Sequence, residues 1–317
     1  MLKGLIVPSH EERQADEPGR LPHWLPVDEL LELAAREGPA WSPWPYELLN
    51  ASVSGIQDRD YISSSMFGGC GRSTVLERRE DYIDSFDNLY ASTRGTMVHR
   101  VLEHAARPNS IAEWRFWTTL TIPGLRETIE ISCSPDIVTW DPNGLGDFKT
   151  TEHPPQFYPW KNHTRQVQYN QFIVKHAERW ADADGDESAD IPFMPQDWHP
   201  EHVYLVYLAP KGPQTIEVMK TREVPNPKGN MVKRKMPYVW SDEEVLADMV
   251  PRVKAMSQAL ASYPDWPPGL EKQPGFEGPA GWTCPGKPWC SLPNCLAKRY
   301  GPLHENGHRG GLTWPSS

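Results

Sequence analysis

The residues of this chain best equipped for chemistry are Asp136, Asp147 and Lys149, which fall in the stretch SPDIVTWDPNGLGDFKT, residues 134–150. Two carboxylates and an ammonium are costly beside apolar neighbours such as Ile137 and Val138 unless they pair or bind an ion. The stretch reads as a β-hairpin turning at DPNG. With the turn centred between Pro142 and Asn143, Val138 faces Asp147 and Asp136 faces Lys149. Cross-strand partners share a face and side chains alternate, so all three charged groups project from one side. A one-residue bulge at Gly144 would instead send Asp136 to the other face. Gathered on one side, the acids can hold a divalent cation. Mg²⁺ and Mn²⁺ favour carboxylate and carbonyl oxygen, and the main-chain carbonyl of Phe148 comes within reach of the same ion. Taken alone, the residues also fit a surface hairpin that carries an Asp/Lys salt bridge.

The elements that must position this hairpin follow from periodicity and breakers. Residues 1–60 are rich in proline and tryptophan and read as an extension with one short amphipathic helix over Val27–Arg36. Next, SSSMFGGCGRSTVLERREDYI offers serine caps and a helical stretch that carries Cys70. STRGTMVHRVLEHAAR then reads as a helix capped at Ser92 or Thr93, with Val98, Val101, Leu102 and Ala105 as its apolar stripe. His99 and Glu103 lie beside that stripe at i, i+4 spacing. Three strands, Glu113–Ile122, Thr128–Trp140 and Leu145–Thr151, form an antiparallel meander. NHTRQVQYNQFIVKHAERW (162–180) is a helix, and the acidic run that follows it reads as solvated surface. HVYLVYLA (202–209) is a strand that TIEVMKTREV can pair with. SDEEVLADMVPRVKAMSQALAS is a capped helix interrupted by Pro251. The remaining tail is Pro/Gly-rich and holds Cys284, Cys290 and Cys295. No internal repeat is visible.

Pro135-Asp136 followed by Asp147-Phe148-Lys149 resembles the PD-(D/E)XK nuclease signature, and its surroundings resemble the RecB-type exonuclease branch. GTMVHRVLEH is similar to that branch's helix with a metal-binding histidine, which implicates His99. Gln168 followed by Phe172 is similar to its Q-x-x-x-Y motif, with phenylalanine in the place of the tyrosine. Within the branch, the chain resembles the CRISPR-associated Cas-four exonucleases and the AddB nuclease domain, including phage-borne relatives. The likeness runs over residues 60–300, and the order of the motifs is its specific part. It implies an α/β (α+β) restriction-endonuclease-like core with a central mixed sheet flanked by helices. It further implies an ion held by His99, Asp136, Asp147 and the Phe148 carbonyl, with Lys149 and Gln168 completing the catalytic set. One cysteine ahead of the core and three behind it imply a 4Fe-4S cluster on Cys70, Cys284, Cys290 and Cys295 that joins the chain ends. The expected organisation is an N-terminal extension over 1–60, a nuclease core over 61–262 and a Cys-rich closing segment over 263–317.

The resemblance thus implies a metal-dependent DNA exonuclease acting on single strands or ends, in recombination, repair or DNA processing. A catalytically silent DNA-end-binding adaptor of the same fold is the alternative. Several residues also have plainer readings. His99 reads equally as a helix-surface or core histidine, and Glu103 as a water-mediated ligand or a solvated glutamate. The cysteines also fit zinc, with His304 or His308 replacing a thiolate. The stretch KTREVPNPKGNMVKRKMP, with Lys233, Arg234 and Lys235, reads as a phosphate-tracking arm or a solvated hairpin tip. Cys133, between Ser132 and Ser134, reads as a buried spectator.

Composition limits the rest. A chain of 317 residues buries a sizeable core without disulfide help. Its 32 basic and 42 acidic residues give a net charge of -10, so any nucleic-acid contact is local rather than a general basic coat. Five cysteines, three of them crowded near the end, suit a metal or cluster site better than a secreted disulfide framework. No apolar run reaches membrane-spanning length and the start turns polar early, so the expectation is a soluble, cytoplasmic protein without membrane partners. Protein partners are unspecified.

Overall fold

The computed structural model describes residues 2–6, 24–37, 46–54, 61–68, 74–75, 78–79, 82–103, 108–122, 128–151, 159–209, 211–217, 223–225, 231–233 and 239–262. The fold is mixed α/β, with mixed sheets flanked by helices, and the chain divides into two compact units. Among the described residues, one unit takes in those within 1–59 and 72–94, and the other those within 60–71 and 95–279.

The first unit shows that the Pro/Trp-rich opening is more than an extension. Leu2–Ile6 is the middle strand of a three-stranded sheet, antiparallel to Trp24–Pro26 and parallel to Tyr82–Ser85. Helix Val27–Glu37 places Leu30 and Ala34 one turn apart on the same face. Both pack with Leu5, Leu49 of helix Tyr46–Ser54 and Leu89 in a small apolar core.

Among the described residues, the second unit holds two larger sheets besides a two-stranded ribbon of Glu223–Pro225 and Met231–Lys233. One runs Arg179–Ala181, Arg115–Thr121, Thr128–Cys133, Ile62–Ser63, and the other runs Gly212–Glu217, His202–Ala209, Asn143–Thr150, Ile137–Trp140, Ser110–Ile111. The expected meander is therefore split. Thr128–Trp140 is not one strand, because it breaks at Ser134-Pro135-Asp136 and its halves join different sheets. Proline has no N–H to donate to a ladder, so the chain changes sheets there. His202–Ala209 pairs antiparallel with Gly212–Glu217, so the partner strand starts ahead of the expected TIEVMKTREV and shares only its first three residues, and it pairs parallel with Asn143–Thr150. Arg179–Ala181, of which residues 179 and 180 read from sequence as the end of a helix, is a strand against Arg115–Trp117.

Helix Lys161–Lys175 lies against both sheets and against helix Asp242–Ser262. The two helices are clamped by Asp248, whose carboxylate meets Arg165 Nε at 2.8 Å, Arg252 Nε at 3.4 Å and the hydroxyl of Tyr169. The second helix starts with a capping box. Ser241 N–H donates to Glu244 and Glu244 N–H donates back to the Ser241 hydroxyl, at 2.8 and 3.3 Å. Pro251 does not interrupt this helix, which continues through it to Ser262. Among the described residues, no helix is long and apolar enough to cross a membrane.

Two further expectations are corrected. The helix carrying His99 begins at Phe86 rather than at Ser92 or Thr93. Thr93 lies inside it and donates its hydroxyl to the Leu89 carbonyl one turn back, at 2.8 Å. Its supposed apolar stripe does not hold, since Val101 is 69% exposed. Cys133 is fully buried, as the sequence suggests, with its thiol directed at the Asn170 carbonyl.

Candidate metal and phosphodiester site

The hairpin pairs Val138 with Leu145 and Ile137 with Gly146. Carried one step further, that register sets Asp136 opposite Asp147. The expected pairing of Asp136 with Lys149 is thus off by two residues, a slip that preserves the face because side chains alternate with period two. No bulge occurs at Gly144, where Thr139 pairs with Gly144 in regular register. The preceding hairpin pairs Phe116 with Cys133, and just beyond that last pair the Ser134 hydroxyl holds the Glu113 carbonyl. Asp136 therefore stands where the chain passes from one sheet to the other.

Asp136 and Asp147 are both buried. Asp136 accepts the backbone N–H of Phe148 on one carboxylate oxygen. Its other oxygen lies 3.1 Å from His99 Nδ1, which is also 2.9 Å from a Glu113 carboxylate oxygen. One ligand atom from each of His99, Glu113 and Asp136 lies within 4.8 Å of the others, a nitrogen-and-carboxylate set suited to a divalent cation. Of the four ligands implied by the sequence, His99 and Asp136 come together here. Phe148 contributes its N–H, to Asp136. Asp147 is turned to Lys149, with Nζ to carboxylate oxygen at 2.7 Å, and accepts from Gln166 Nε2 at 3.3 Å.

Glu113 was not singled out by sequence, where it reads as the first residue of a strand. It precedes the strand and has a left-handed backbone, φ 59°. Such a conformation is uncommon for a residue with a Cβ and persists where the surroundings hold it. Here the Ser134 hydroxyl donates to the Glu113 carbonyl at 2.9 Å, tying it to the residue just ahead of Pro135-Asp136.

Gln168 meets Trp240. It is fully buried, and its side-chain oxygen accepts the backbone N–H of Trp240 at 2.9 Å, while Gln171 donates to the Trp240 carbonyl at 3.1 Å. Gln166, on a different face of the same helix, reaches Asp147. Phe172 is buried and packs on the His176 ring, centroids 4.5 Å apart.

The electrostatics follow from crowding buried charge. Burial raises the Asp147 pKa from 3.8 to about 6; Lys149 opposes the rise and Asp136 adds to it. Burial also works against the ammonium of Lys149, but the charges of Asp147 and Asp136 outweigh it and hold the pKa above 10.5. At His99 burial disfavours the imidazolium, yet the hydrogen bonds with Asp136 and Glu113 prevail and lift the pKa to about 10. In the absence of an ion, a shared imidazolium proton satisfies the two carboxylates.

Cys70, Cys284, Cys290 and Cys295 lie outside the described residues, as do Arg234 and Lys235. Lys233 ends a short strand, Met231–Lys233, paired antiparallel with Glu223–Pro225.

No family model matches this chain, and no curated protein matches it. Among solved structures it is similar to one titled "Crystal structure of SSO0001", with 13% sequence identity and a TM-score of 0.43, over 68% of this chain and 85% of that one. A likeness at that level identifies neither a family nor an activity.

Proposed function

We propose that this protein is a metal-dependent deoxyribonuclease of PD-(D/E)XK, RecB-like type that hydrolyses phosphodiester bonds of single-stranded DNA or DNA ends. The observation that carries this reading is the convergence of His99, Glu113 and Asp136 to within 4.8 Å of one another, with the Asp147–Lys149 pair on the adjoining strand. Mg²⁺ or Mn²⁺ held by those three residues would polarise a phosphoryl oxygen and supply hydroxide near neutral pH. Asp147, steadied by Gln166, holds the Lys149 ammonium in place and charged. Lys149 then donates to the phosphate oxygens and offsets the negative charge that grows as the nucleophile attacks. Glu113 and Asp136 share the His99 ring and fix its orientation.

The test is a time course on end-labelled single- and double-stranded oligonucleotides with Mg²⁺ or Mn²⁺. The wild type is expected to degrade DNA, and Asp147→Ala and Lys149→Ala are expected to stop degradation while remaining folded by circular dichroism. Full activity in either variant would refute the assigned chemistry. Tight DNA binding without turnover under every metal condition would assign the chain to end-binding adaptors instead.

A further inference from the structure

The helix that sends Gln166 to Asp147 carries His163 three residues earlier, on the same helical face. His163 Nδ1 lies 3.0 Å from the Tyr207 hydroxyl. Tyr207 is the register partner of Lys149 on the neighbouring parallel strand, so the two side chains leave the sheet on the same face. Gln166 and His163 therefore cover adjacent parts of one surface, over Asp147 and beside Lys149.

The hydrogen bonds around Tyr207 set the state of the imidazole. Tyr207 is fully buried, and its oxygen accepts the backbone N–H of Trp160 at 3.1 Å. When the Tyr207 hydroxyl donates to Nδ1 of His163, the ring keeps its proton on Nε2. Trp160 packs against the same ring, with centroids 5.0 Å apart. Among the described residues, Nε2 has no hydrogen-bond partner. The ring is only partly buried, so an N–H held in that direction can meet a ligand that arrives from solvent. Burial, and after it the charge of Lys149, keeps the His163 pKa well below 6.5, so the ring is neutral. A neutral donor adds a hydrogen bond to an anion without repelling the ammonium beside it.

Resting on the nuclease reading above, we propose that His163 is a substrate-contacting residue whose Nε2–H donates to a non-bridging oxygen of a DNA phosphate next to Lys149, with Tyr207 as the positioning residue that fixes its tautomer. The contact is chemically specific, since it needs a phosphate oxygen and an N–H at the ε position.

Steady-state cleavage of end-labelled oligonucleotides by the full chain with Mg²⁺ or Mn²⁺ tests this. The enzymes are wild type, His163→Ala, His163→Gln and Tyr207→Phe. The substrates are natural DNA and DNA in which single phosphates flanking the cleaved bond are methylphosphonates, and thermal melts report folding. His163→Ala is expected to lower kcat/KM about ten- to a hundred-fold, the loss of one hydrogen bond to a charged group. His163→Gln keeps an N–H at the ε position and is expected to recover most of that loss, with Tyr207→Phe between the two. At one methylphosphonate position the wild type is expected to fall to the level of His163→Ala, which loses nothing more. Wild-type kinetics in His163→Ala would overturn the assignment, as would equal losses in Ala and Gln with undiminished methylphosphonate sensitivity. An active wild type with indifferent His163 variants sinks this inference alone. A wild type that cuts no DNA with either ion sinks the nuclease reading and this inference with it.

Discussion

Replacing Asp147 by asparagine should make the metal-free protein more stable, by an amount that depends on pH. Asp147 is 1% exposed, and burial beside Asp136 lifts its pKa from 3.8 to about 6, already net of the attraction of Lys149. At about 1.36 kcal/mol per pKa unit the shift is worth about 3 kcal/mol. Below pH 3.8 the carboxyl is protonated in both folded and unfolded chains, and the site costs nothing. Between 3.8 and 6 the folded chain keeps the proton that the unfolded chain releases, so stability falls as pH rises. Above 6 the full penalty applies. Asparagine imitates the protonated acid at every pH, so Asp147→Asn should exceed the wild type by up to about 3 kcal/mol at pH 8, with the gain fading towards pH 4. Urea titrations of both proteins in EDTA across that range, read by circular dichroism, measure the difference. An Asp147→Asn protein no more stable than wild type at pH 8, or a gain that does not shrink with acid, would refute the reasoning.

Further outcomes follow from the same geometry. Gly146 lies under the Tyr204 ring, where an added Cβ would collide with Cε2 and sit 2.8 Å from Ile137 Cγ2. Gly146→Ala should therefore destabilise by about 1–3 kcal/mol in urea titration, and a neutral result would contradict that packing. The two glutamines should separate: Gln166→Ala should lower DNA cleavage at unchanged stability, whereas Gln168→Ala should cost about 1–3 kcal/mol by stranding the Trp240 N–H. Reversal of that pattern would mean that the sequence motif, not the observed helix face, identifies the working residue. The cluster implied for Cys70, Cys284, Cys290 and Cys295 should give a brown protein absorbing broadly near ~400 nm when purified without oxygen. A colourless, zinc-loaded protein would replace it with a zinc site.

The sequence revealed the hairpin acids because their common face depends only on residue parity, which survived a register error of two. Glu113 was hidden for the complementary reason. It joins the site from just ahead of its strand, held by the Ser134 hydroxyl and meeting Asp136 across the His99 ring. A local reading makes it an ordinary strand start. Gln166 and Gln168 are alike in type and helix propensity, and what separates them is tertiary, since Trp240 arrives from far along the chain to engage Gln168. The opening 60 residues show the limit of composition. Proline and tryptophan suggested an extension, yet Leu5, Leu30 and Leu49 close a core with Leu89, a partner no local pattern announces.

The central claim is that His99, Glu113 and Asp136 hold a divalent ion. Manganese binding, followed by loss of the free-ion signal in electron paramagnetic resonance, tests it most directly on wild type and Glu113→Gln. The wild type is expected to bind Mn²⁺, and Glu113→Gln to bind it at least about ten-fold more weakly, as expected for loss of a carboxylate ligand. Equal binding by the two proteins, or none by the wild type, would contradict the account.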